Sequence, residues 1–228
     1  MIDLPVGEPV DTTPARRPPR APLAGRFVSL VPVDPDAHAA GLFAASHDGS
    51  EEAARMWTYL AYGPWPDAAA MRAWLETLPA SDDPMFFTVV DGASSSPVGI
   101  VSFLNVDLAM RHVELGHIWF APAAQRTRAN TEAAYLMLRA AFDEWGYRRV
   151  EWKCDALNAR SRAAADRLGF TFEGVFRQHM IIKGRNRDTA WFAMLDGEWP
   201  AARTAFERWL EAPDPPPPLR ELRTPPGP

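Results

Sequence analysis

A basic loop at residues 125–130, "QRTRAN", stands where an apolar strand gives way to a helical pattern, and its residue types suit phosphate binding. Arg126 and Arg128 supply guanidinium groups, and Thr127 and Thr131 supply hydroxyls. The first N–H groups of a helix have no partners within the helix, so they bind phosphate when the preceding loop exposes them. The spacing fits a diphosphate site, and a solvated basic turn before an ordinary helix explains it equally well.

The overall composition restricts any anion site to a local patch. The 228 residues include 24 Lys and Arg against 29 Asp and Glu, a formal net charge of −5. A general nucleic-acid binder needs clustered cationic charge, so we expect no nucleic-acid partner. The single cysteine, Cys154, can form neither an internal disulfide nor a thiolate metal site. This is typical of a reducing compartment, and we expect a cytoplasmic protein without a metal.

The proline content indicates one globular domain between two arms. Residues 1–24 and 212–228 are rich in proline, which removes backbone donors and disfavours helix in the preceding residue. Both segments are therefore predicted to be extended, with the domain at 25–211. The first residues lack a basic segment followed by an apolar one, and no run of about 18 apolar residues occurs. We expect neither a signal peptide nor contact with a membrane.

Hydrophobic periodicity predicts an α/β domain that would position the basic loop. Three successive apolar runs in the first half indicate an antiparallel meander, and the second half contains a strand–loop–helix–strand crossover. The predicted elements are a strand at 26–33, helices at 34–47 and 67–78, strands at 85–91, 98–107 and 111–120, a helix at 131–145 that ends at Gly146, a strand at 148–155, a helix at 159–168, and strands at 170–184 and 188–195.

Three segments carry a resemblance to a known family: "VELGHIWFAPAAQRTRANTEA" from 113, "RRVEWKCDALNARSRAAADRLGF" from 148 and "EGVFRQHMIIKGRNRDTAWFAML" from 173. With the order of elements over 27–195, they resemble the GCN5-related N-acetyltransferase (GNAT) superfamily, and its ribosomal-protein (RimJ/RimL-like) branch in particular. The resemblance implies the GNAT fold, a mixed and mostly antiparallel sheet with helices on both faces and a splayed parallel strand pair at the cofactor site. It also implies acetyl-CoA, or coenzyme A, as the bound cofactor.

The loop departs from the family's phosphate motif, which runs Arg or Gln, two residues, Gly, one residue, Gly or Ala. Gln125 opens the motif here, but Arg128 and Asn130 stand at the two small-residue positions, where glycine allows close approach of the backbone. Either the loop still presents its N–H groups and the two arginines add charge-assisted hydrogen bonds, or it has lost the cofactor. The cofactor-binding residues implied here are Gln125, Arg126, Thr127, Arg128, Ala129, Asn130 and Thr131.

The resemblance also implies where the rest of the cofactor lies. Pantetheine would pair with the strand edge formed by Ile118, Trp119 and Phe120, where a free N–H would polarise the thioester carbonyl. Asn158 would hydrogen-bond the pantetheine arm. An N-cap of the next helix is its alternative role, and the two roles are compatible.

Transfer to an amine requires that the amine lose a proton, since reference pKa values are near 10.4 for lysine and about 8 for an α-amine. The candidate bases are Glu114, His112, His117 and His179. Strand alternation puts His112 and Glu114 on one face and His117 on the other. We favour Glu114, because many relatives have an acidic residue on this strand, with His179 second. An ordinary ion-paired glutamate is the alternative.

The proton donor for the leaving thiolate is less well defined. Many relatives use a tyrosine in the helix after Asn158, and Ala165 matches that position here. Ser161 matches a serine that the RimL-like branch places near the sulfur, and its alternative role is that of an N3 residue in the helix.

The leading hypothesis is an acetyl-CoA-dependent N-acetyltransferase in which a primary amine attacks directly within a ternary complex. The acceptor would be a protein N-terminus or a small-molecule amine, near the aromatic residues Trp57, Tyr59, Tyr62 and Trp65 unless these serve core packing. The alternatives are a transferase for a bulkier acyl-CoA and a non-catalytic CoA-binding regulatory module. A homodimer is possible through the helical segment 200–212, "PAARTAFERWLEA".

Overall fold

A mixed sheet organises residues 4–223, the part of the chain that the computed structural model describes. Its eight strands are β1 (Leu23–Ala24), β2 (Val28–Pro32), β3 (Met85–Asp91), β4 (Pro97–Asp107), β5 (His112–Phe120), β6 (Arg149–Asp155), β7 (Thr171–Ile182) and β8 (Arg185–Leu195). They lie in the order β1-β2-β3-β4-β5-β6-β8-β7, and every neighbouring pair is antiparallel except β5 and β6. The predicted meander and the mostly antiparallel α/β fold are confirmed.

Helices cover both faces of the sheet. Those in residues 4–223 are α1 (Pro35–Ser46), α2 (Glu51–Met56), α3 (Ala68–Leu75), α4 (Arg128–Arg139), α5 (Ala159–Leu168), α6 (Trp199–Glu211) and α7 (Leu219–Arg223). Side chains of Asp34, Ser50 and Asp67 cap the first three, as their residue types favour. The periodicity did not predict α2, because six residues form no full apolar stripe. Helix α4 continues through a π-helical turn (Ala140–Glu144), and Gly146 follows with φ 76°.

The parallel pair separates along its length. β5 and β6 pair only from His112↔Arg149 to Leu115↔Trp152. Beyond that point β5 stays paired with β4, and β6 stays paired with β8. A gap therefore opens between the carboxyl ends of β5 and β6, which confirms the predicted splayed pair. Helix α4 follows β5 and helix α5 follows β6, so the N-termini of both helices are close to this gap.

Two clusters of buried side chains hold the layers together. The larger lies between the sheet and helices α4 and α6, and it includes Leu136 and Phe206. The smaller lies between the sheet and helices α1 and α3, and it includes Leu42 and Met71. All four side chains are fully buried, so both faces of the sheet contribute to the stability of the fold.

Helix α6 belongs to the larger core rather than to a free surface. Phe206 is fully buried and Leu210 is buried, both on the side that packs against α4. Trp209 lies under the guanidinium of Arg128, with 5.4 Å between the ring centroid and Cζ. Phe206 and Leu210 are therefore covered by the chain itself, and a homodimer through this helix stays a prediction.

Both proline-rich segments make contacts with the domain. In the first, the Ala15 N–H donates to the carbonyl of Leu108 and Ala15 is buried. In the second, α7 forms at the end of the described chain, with Leu219 buried. The packed domain is therefore longer than predicted at both ends. Residues 1–3 and 224–228 of the predicted arms lie outside the described part. No helix within 4–223 is long and apolar enough to cross a membrane.

Candidate functional site

A cleft of about 1090 Å³ begins at the gap between β5 and β6. Five segments line it: the end of β5, the basic loop with the first turn of α4, helix α5, the residues after α2, and the proline-rich tail. Among its lining residues are Tyr59, Ile118, Trp119, Phe120, Gln125, Arg126, Thr127, Asn130, Thr131, Asn158, Ser161, Arg167, Trp209, Pro216, Pro217, Pro218 and Arg220. Most of the predicted cofactor residues therefore meet in one place.

The basic loop leaves the N-terminus of α4 open. Thr127 occupies the N-cap position, but its hydroxyl donates to the carbonyl of Ala124 at 2.8 Å, and no side chain of residues 4–223 caps the helix. Gln125 braces the loop through a hydrogen bond from Nε2 to the carbonyl of Phe120, at 2.9 Å. The first N–H groups of α4 are thus left without a side-chain acceptor, and they carry the partial positive charge of the helix end.

The backbone of the loop explains why arginine and asparagine are tolerated at the two small-residue positions. Arg128 and Asn130 both lie inside α4, where an ordinary helical backbone suits any side chain. The left-handed conformation falls instead on Arg126, with φ 61°. Such a residue costs about 1–3 kcal/mol and is concentrated at functional sites. This geometry supports a loop that still presents its N–H groups rather than one that has lost the cofactor.

Arg167 is a functional candidate that the sequence reasoning missed. It lies in the last turn of α5 and donates to Thr131 Oγ1 at 3.0 Å and Asn130 Oδ1 at 3.2 Å, in the first turn of α4. The residue is half-buried, and no carboxylate of residues 4–223 pairs with it. Burial, and secondly repulsion from Arg223, lowers its pKa. In sequence, an arginine at a helix C-terminus looks like an ordinary partner of the helix dipole.

Arg128 corrects the expectation that its guanidinium binds phosphate. Nη1 donates to the carbonyls of Trp209 and Leu210, at 3.0 and 2.9 Å, and Nη2 pairs with Asp214 Oδ1 at 2.8 Å. The side chain is thus occupied by the C-terminal end of α6, whose last carbonyls lack partners within the helix. Only the backbone N–H of Arg128 remains available to the cleft.

The edge of β5 offers backbone donors to the gap. The Ala121 N–H donates to the carbonyl of Val98, on β4. Because hydrogen-bonding directions alternate along a strand, the N–H group of Phe120 points the other way, toward the side that β6 has left. Trp119 pairs with Ile100 on β4, and its side chain is buried in the smaller core. Of the three predicted edge residues, Phe120 can therefore present its N–H to the gap, and Ile118 lines the cleft.

Asn158 and Ser161 lie at the start of α5, on the wall of the cleft. Asn158 Oδ1 caps the helix by accepting the Ser161 N–H at 3.1 Å, while its Nδ2 has no partner within 4–223. Ser161 Oγ accepts a hydrogen bond from Trp152 Nε1 at 3.0 Å. Since an indole only donates, the serine keeps its own proton to donate, and the thiol of Cys154 is one acceptor within its reach. Neighbouring Cys154 is buried, and burial raises the pKa of its thiol, as a core residue would show.

Glu114 is a buried, ion-paired carboxylate that does not line the cleft. Its Oε2 accepts from Asn105 Nδ2 at 2.6 Å and pairs with Lys153 Nζ at 2.9 Å. Lys153 also pairs with Glu151, at 2.7 Å, so the charges of β5 and β6 form one network. Glu114 lies beside Leu115, the last residue of β5 that pairs with β6.

A β-bulge in β5 changes the face on which His117 lies. Ser102 pairs with Gly116 and Ile100 pairs with Trp119, so β5 has an extra residue here, and His117 has φ 52°. Its ring stacks on Tyr62 and contacts Phe86, with centroids 5.6 and 4.8 Å apart. His117 therefore shares the face of Glu114, contrary to the prediction from simple alternation. Burial, and secondly Arg187, lowers its pKa to about 4.

His179 lies on the edge strand β7, apart from the cleft. Its Nδ1 is 2.9 Å from Thr189 Oγ1, and its ring lies 6.0 Å from that of Trp191. Lys153 Nζ is 3.9 Å from the centroid of Trp191. Lys153 and Trp191 therefore stand between His179 and Glu114, so the structure does not bring these two candidate bases together.

The predicted aromatic group divides between packing and lining. Trp57 is fully buried and belongs to the smaller core. Tyr59 lines the cleft and donates from its hydroxyl to the carbonyl of Leu157, at 3.2 Å. Lys183, at the tip of the β7–β8 hairpin, donates to the carbonyls of Trp57 and Gly63 at 2.8 and 2.6 Å. The hairpin is thus fastened to the aromatic segment on the face of the sheet that carries His117.

Solved structures share this architecture over most of the chain. A GCN5-related N-acetyltransferase from Brucella melitensis is 44% identical, with a TM-score of 0.88, and the likeness covers 92% of this chain and 97% of that one. A probable acetyltransferase of the GNAT family from Chromobacterium violaceum ATCC 12472 is 40% identical, with a TM-score of 0.78, over 88% of this chain and 100% of that one. The class of protein that the fold and cleft define is an acetyltransferase with the GNAT fold.

The sequence family agrees with the fold. The acetyltransferase (GNAT) domain model matches residues 28–171, and the chain belongs to this family. YdaF of Bacillus subtilis (strain 168), which carries the provisional name of a ribosomal N-acetyltransferase, is 31% identical over 101 residues. That match covers 44% of this chain and 55% of YdaF, about half of the relative's length. The predicted membership of the GNAT superfamily is confirmed.

Proposed function

We propose that this protein transfers the acetyl group of acetyl-CoA to a primary amine, by direct attack within a ternary complex. The observation that carries the proposal is Arg167, a half-buried cation without a carboxylate partner in the described chain, beside the open N-terminus of α4. An unpaired charge is costly to bury, and a bound phosphate would compensate it. The cleft that contains this pair begins at the gap between the splayed strands.

The residues of the cleft suit the successive parts of acetyl-CoA. The first N–H groups of α4, with Arg167 and Arg126, would hold the diphosphate. Asn158 Nδ2 would donate to a pantetheine carbonyl, since it has no partner in the described chain. Ile118 and Phe120 would lie along the pantetheine arm and the thioester, where the N–H group of Phe120 would stabilise the developing oxyanion.

The reaction forms a C–N bond to the carbonyl carbon and breaks its C–S bond. The amine loses a proton to a base, and the thiolate leaves with the electron pair of the broken bond. Ser161 is the proposed donor to that thiolate, because Trp152 occupies one lone pair of its oxygen and leaves the serine its own proton to donate. Glu114 remains the proposed base. His117 is the alternative, because it lies in the bulge beside the gap and stays neutral at pH 7.

The amine would approach from the face that carries His117, between the aromatic segment and the β7–β8 hairpin. The contacts of Lys183 hold these two elements together on that side. Two classes of acceptor fit the proposal. The name of YdaF favours the N-terminus of a ribosomal protein, and a small-molecule amine is the other.

Calorimetric binding of acetyl-CoA tests the cofactor assignment. We expect Arg167→Met to weaken both acetyl-CoA and CoA by about 10- to 100-fold, because it removes charge-assisted hydrogen bonds worth about 1.5–3 kcal/mol while keeping the apolar stem. Arg208→Ala is the matched control, since Arg208 is exposed on α6 and does not line the cleft. If the unmodified protein binds neither ligand, the proposed function is rejected.

Release of free thiol tests the chemistry. Acetyl-CoA would be supplied with a panel of short peptides carrying free N-termini, and with small primary amines, and the acetylated product would be identified by mass. Turnover with one class of acceptor assigns the substrate. Binding without turnover would favour the regulatory module, and faster turnover with longer acyl chains would favour the transferase for a bulkier acyl-CoA.

A further inference from the structure

The proline-rich segment after α6 forms one wall of the cleft. We call residues 212–223 the strap. Three of its four consecutive prolines, Pro216, Pro217 and Pro218, line the cleft together with Arg220. They line the same cleft as Arg167 and Trp209. The strap is therefore part of the site, although its composition predicted an arm outside the domain.

Both ends of the strap are fastened by arginines that cap helices. Arg128 binds the carbonyls of Trp209, Leu210 and Ala212, at the start of the strap. Arg223 donates to the carbonyls of Asp166 and Arg167, at 3.1 and 2.9 Å, where α5 ends. Between them Leu219 is only 3% exposed. These contacts hold the strap against the cleft.

Not every arginine that lines the cleft has a carboxylate partner within residues 4–223. Arg55 and Arg160 also line the cleft, but they pair with Glu51 and Glu52. Arg220 is exposed to the cleft and makes no ion pair or side-chain hydrogen bond with any residue of 4–223. A protein with a net charge of −5 thus has an uncompensated guanidinium here, beyond Arg167.

We propose that the strap encloses the nucleotide end of the coenzyme and that Arg220 binds its 3′-phosphate. This inference rests on the proposed function. Helix α5 runs from Asn158, at the pantetheine end, to Arg167, beside the proposed diphosphate site. Arg220 lies on α7, which packs against the C-terminal end of α5, and so stands farther from the thioester. The 3′-phosphate is the remaining anionic group of coenzyme A, and it carries about −1.5 to −2 charges at pH 7.

Comparison of CoA with 3′-dephospho-CoA by titration calorimetry tests the inference, because the two ligands differ only in that phosphate. We expect the unmodified protein to prefer CoA by about tenfold or more, the effect of one charge-assisted contact. Arg220→Ala should remove most of this preference by weakening CoA alone, and Arg220→Lys should keep part of it. Arg208→Ala should leave both affinities unchanged, and equal thermal midpoints would show that each variant is folded.

The outcomes separate this inference from the function on which it rests. If Arg220→Ala keeps the preference for CoA, or weakens both ligands equally, the assignment of Arg220 to the 3′-phosphate is overturned while CoA binding stands. If the unmodified protein binds neither CoA nor 3′-dephospho-CoA, the proposed function itself is rejected. Arg167→Met should weaken both ligands to the same extent, because the diphosphate is common to them.

Discussion

His117 should make the stability of the fold depend on pH in a range that can be worked out from its surroundings. Burial, with Arg187 as a second cause, lowers its pKa from 6.5 to about 4. The unfolded chain therefore takes up this proton at a higher pH than the folded protein does. The neutral, buried imidazole of His117 therefore contributes fully to the free energy of unfolding above pH 6.5, and this contribution is lost as the pH falls toward 4.

The size of this effect follows from the interval between the two pKa values. A full pKa unit corresponds to about 1.4 kcal/mol, so the interval amounts to about 3 kcal/mol between pH 7 and pH 4. Partial access of solvent to the ring reduces this to about 2 kcal/mol at pH 4.5, because water screens part of the burial cost. Such a loss is a considerable part of the stability of an ordinary domain.

Urea unfolding of the unmodified protein and His117→Phe at pH 7.5 and 4.5, followed by tryptophan fluorescence, measures the effect. Phenylalanine keeps an aromatic ring against Tyr62 and Phe86 but has no proton to gain. The conformational cost of placing phenylalanine at φ 52° is the same at both pH values, so it cancels when the two pH values are compared. The unmodified protein should lose about 2 kcal/mol more than the variant. Equal losses would refute the reasoning, since all other titrating groups are shared.

Two further substitutions separate catalysis from structure. Glu114→Gln should lower kcat about 100-fold with little change in KM for acetyl-CoA, if this carboxylate accepts the proton of the amine. A lower thermal midpoint with unchanged kcat would show that Glu114 stabilises the fold through its ion pair with Lys153 and is not the base. Arg128→Ala should cost about 2 kcal/mol in unfolding free energy, since it removes the hydrogen bonds at the end of α6. Its loss of acetyl-CoA affinity should be smaller than that of Arg167→Met. If Arg128→Ala weakened acetyl-CoA binding more than Arg167→Met does, the Arg128 side chain would be assigned to the phosphate site after all.

Much of the candidate cleft could be predicted from short segments of the sequence. The basic loop, Asn158 and Ser161 each lie where a strand is followed by a helix. Such a connection can be recognised from residues that are close together in the chain. Arg167 could not be predicted in the same way. Its position in the cleft depends on how α5 packs beside α4, and contacts between two helices are decided by packing rather than by the residues around either one.

The faces of β5 show a second limit. Alternation correctly separates Glu114 from Val113 and Leu115, but one extra residue in the bulge moves His117 to the face of Glu114. A bulge has no firm local signature when the residue in it is not glycine. Register between β4 and β5 is a property of the pair of strands, so a single strand does not reveal it.

The sequence by itself determined the α/β class, the meander, the crossover, the loop at the start of α4 and the cap at Asn158, because periodicity and capping act between residues that are close in the chain. Only the tertiary structure decided the direction of the Arg128 guanidinium, the position of Arg167 against the first turn of α4 and the place of the strap in the cleft wall. Each of these depends on groups brought together from distant parts of the chain, as when Arg128 reaches carbonyls more than 80 positions away. The partners and the burial of such groups are decided only when the layers pack together.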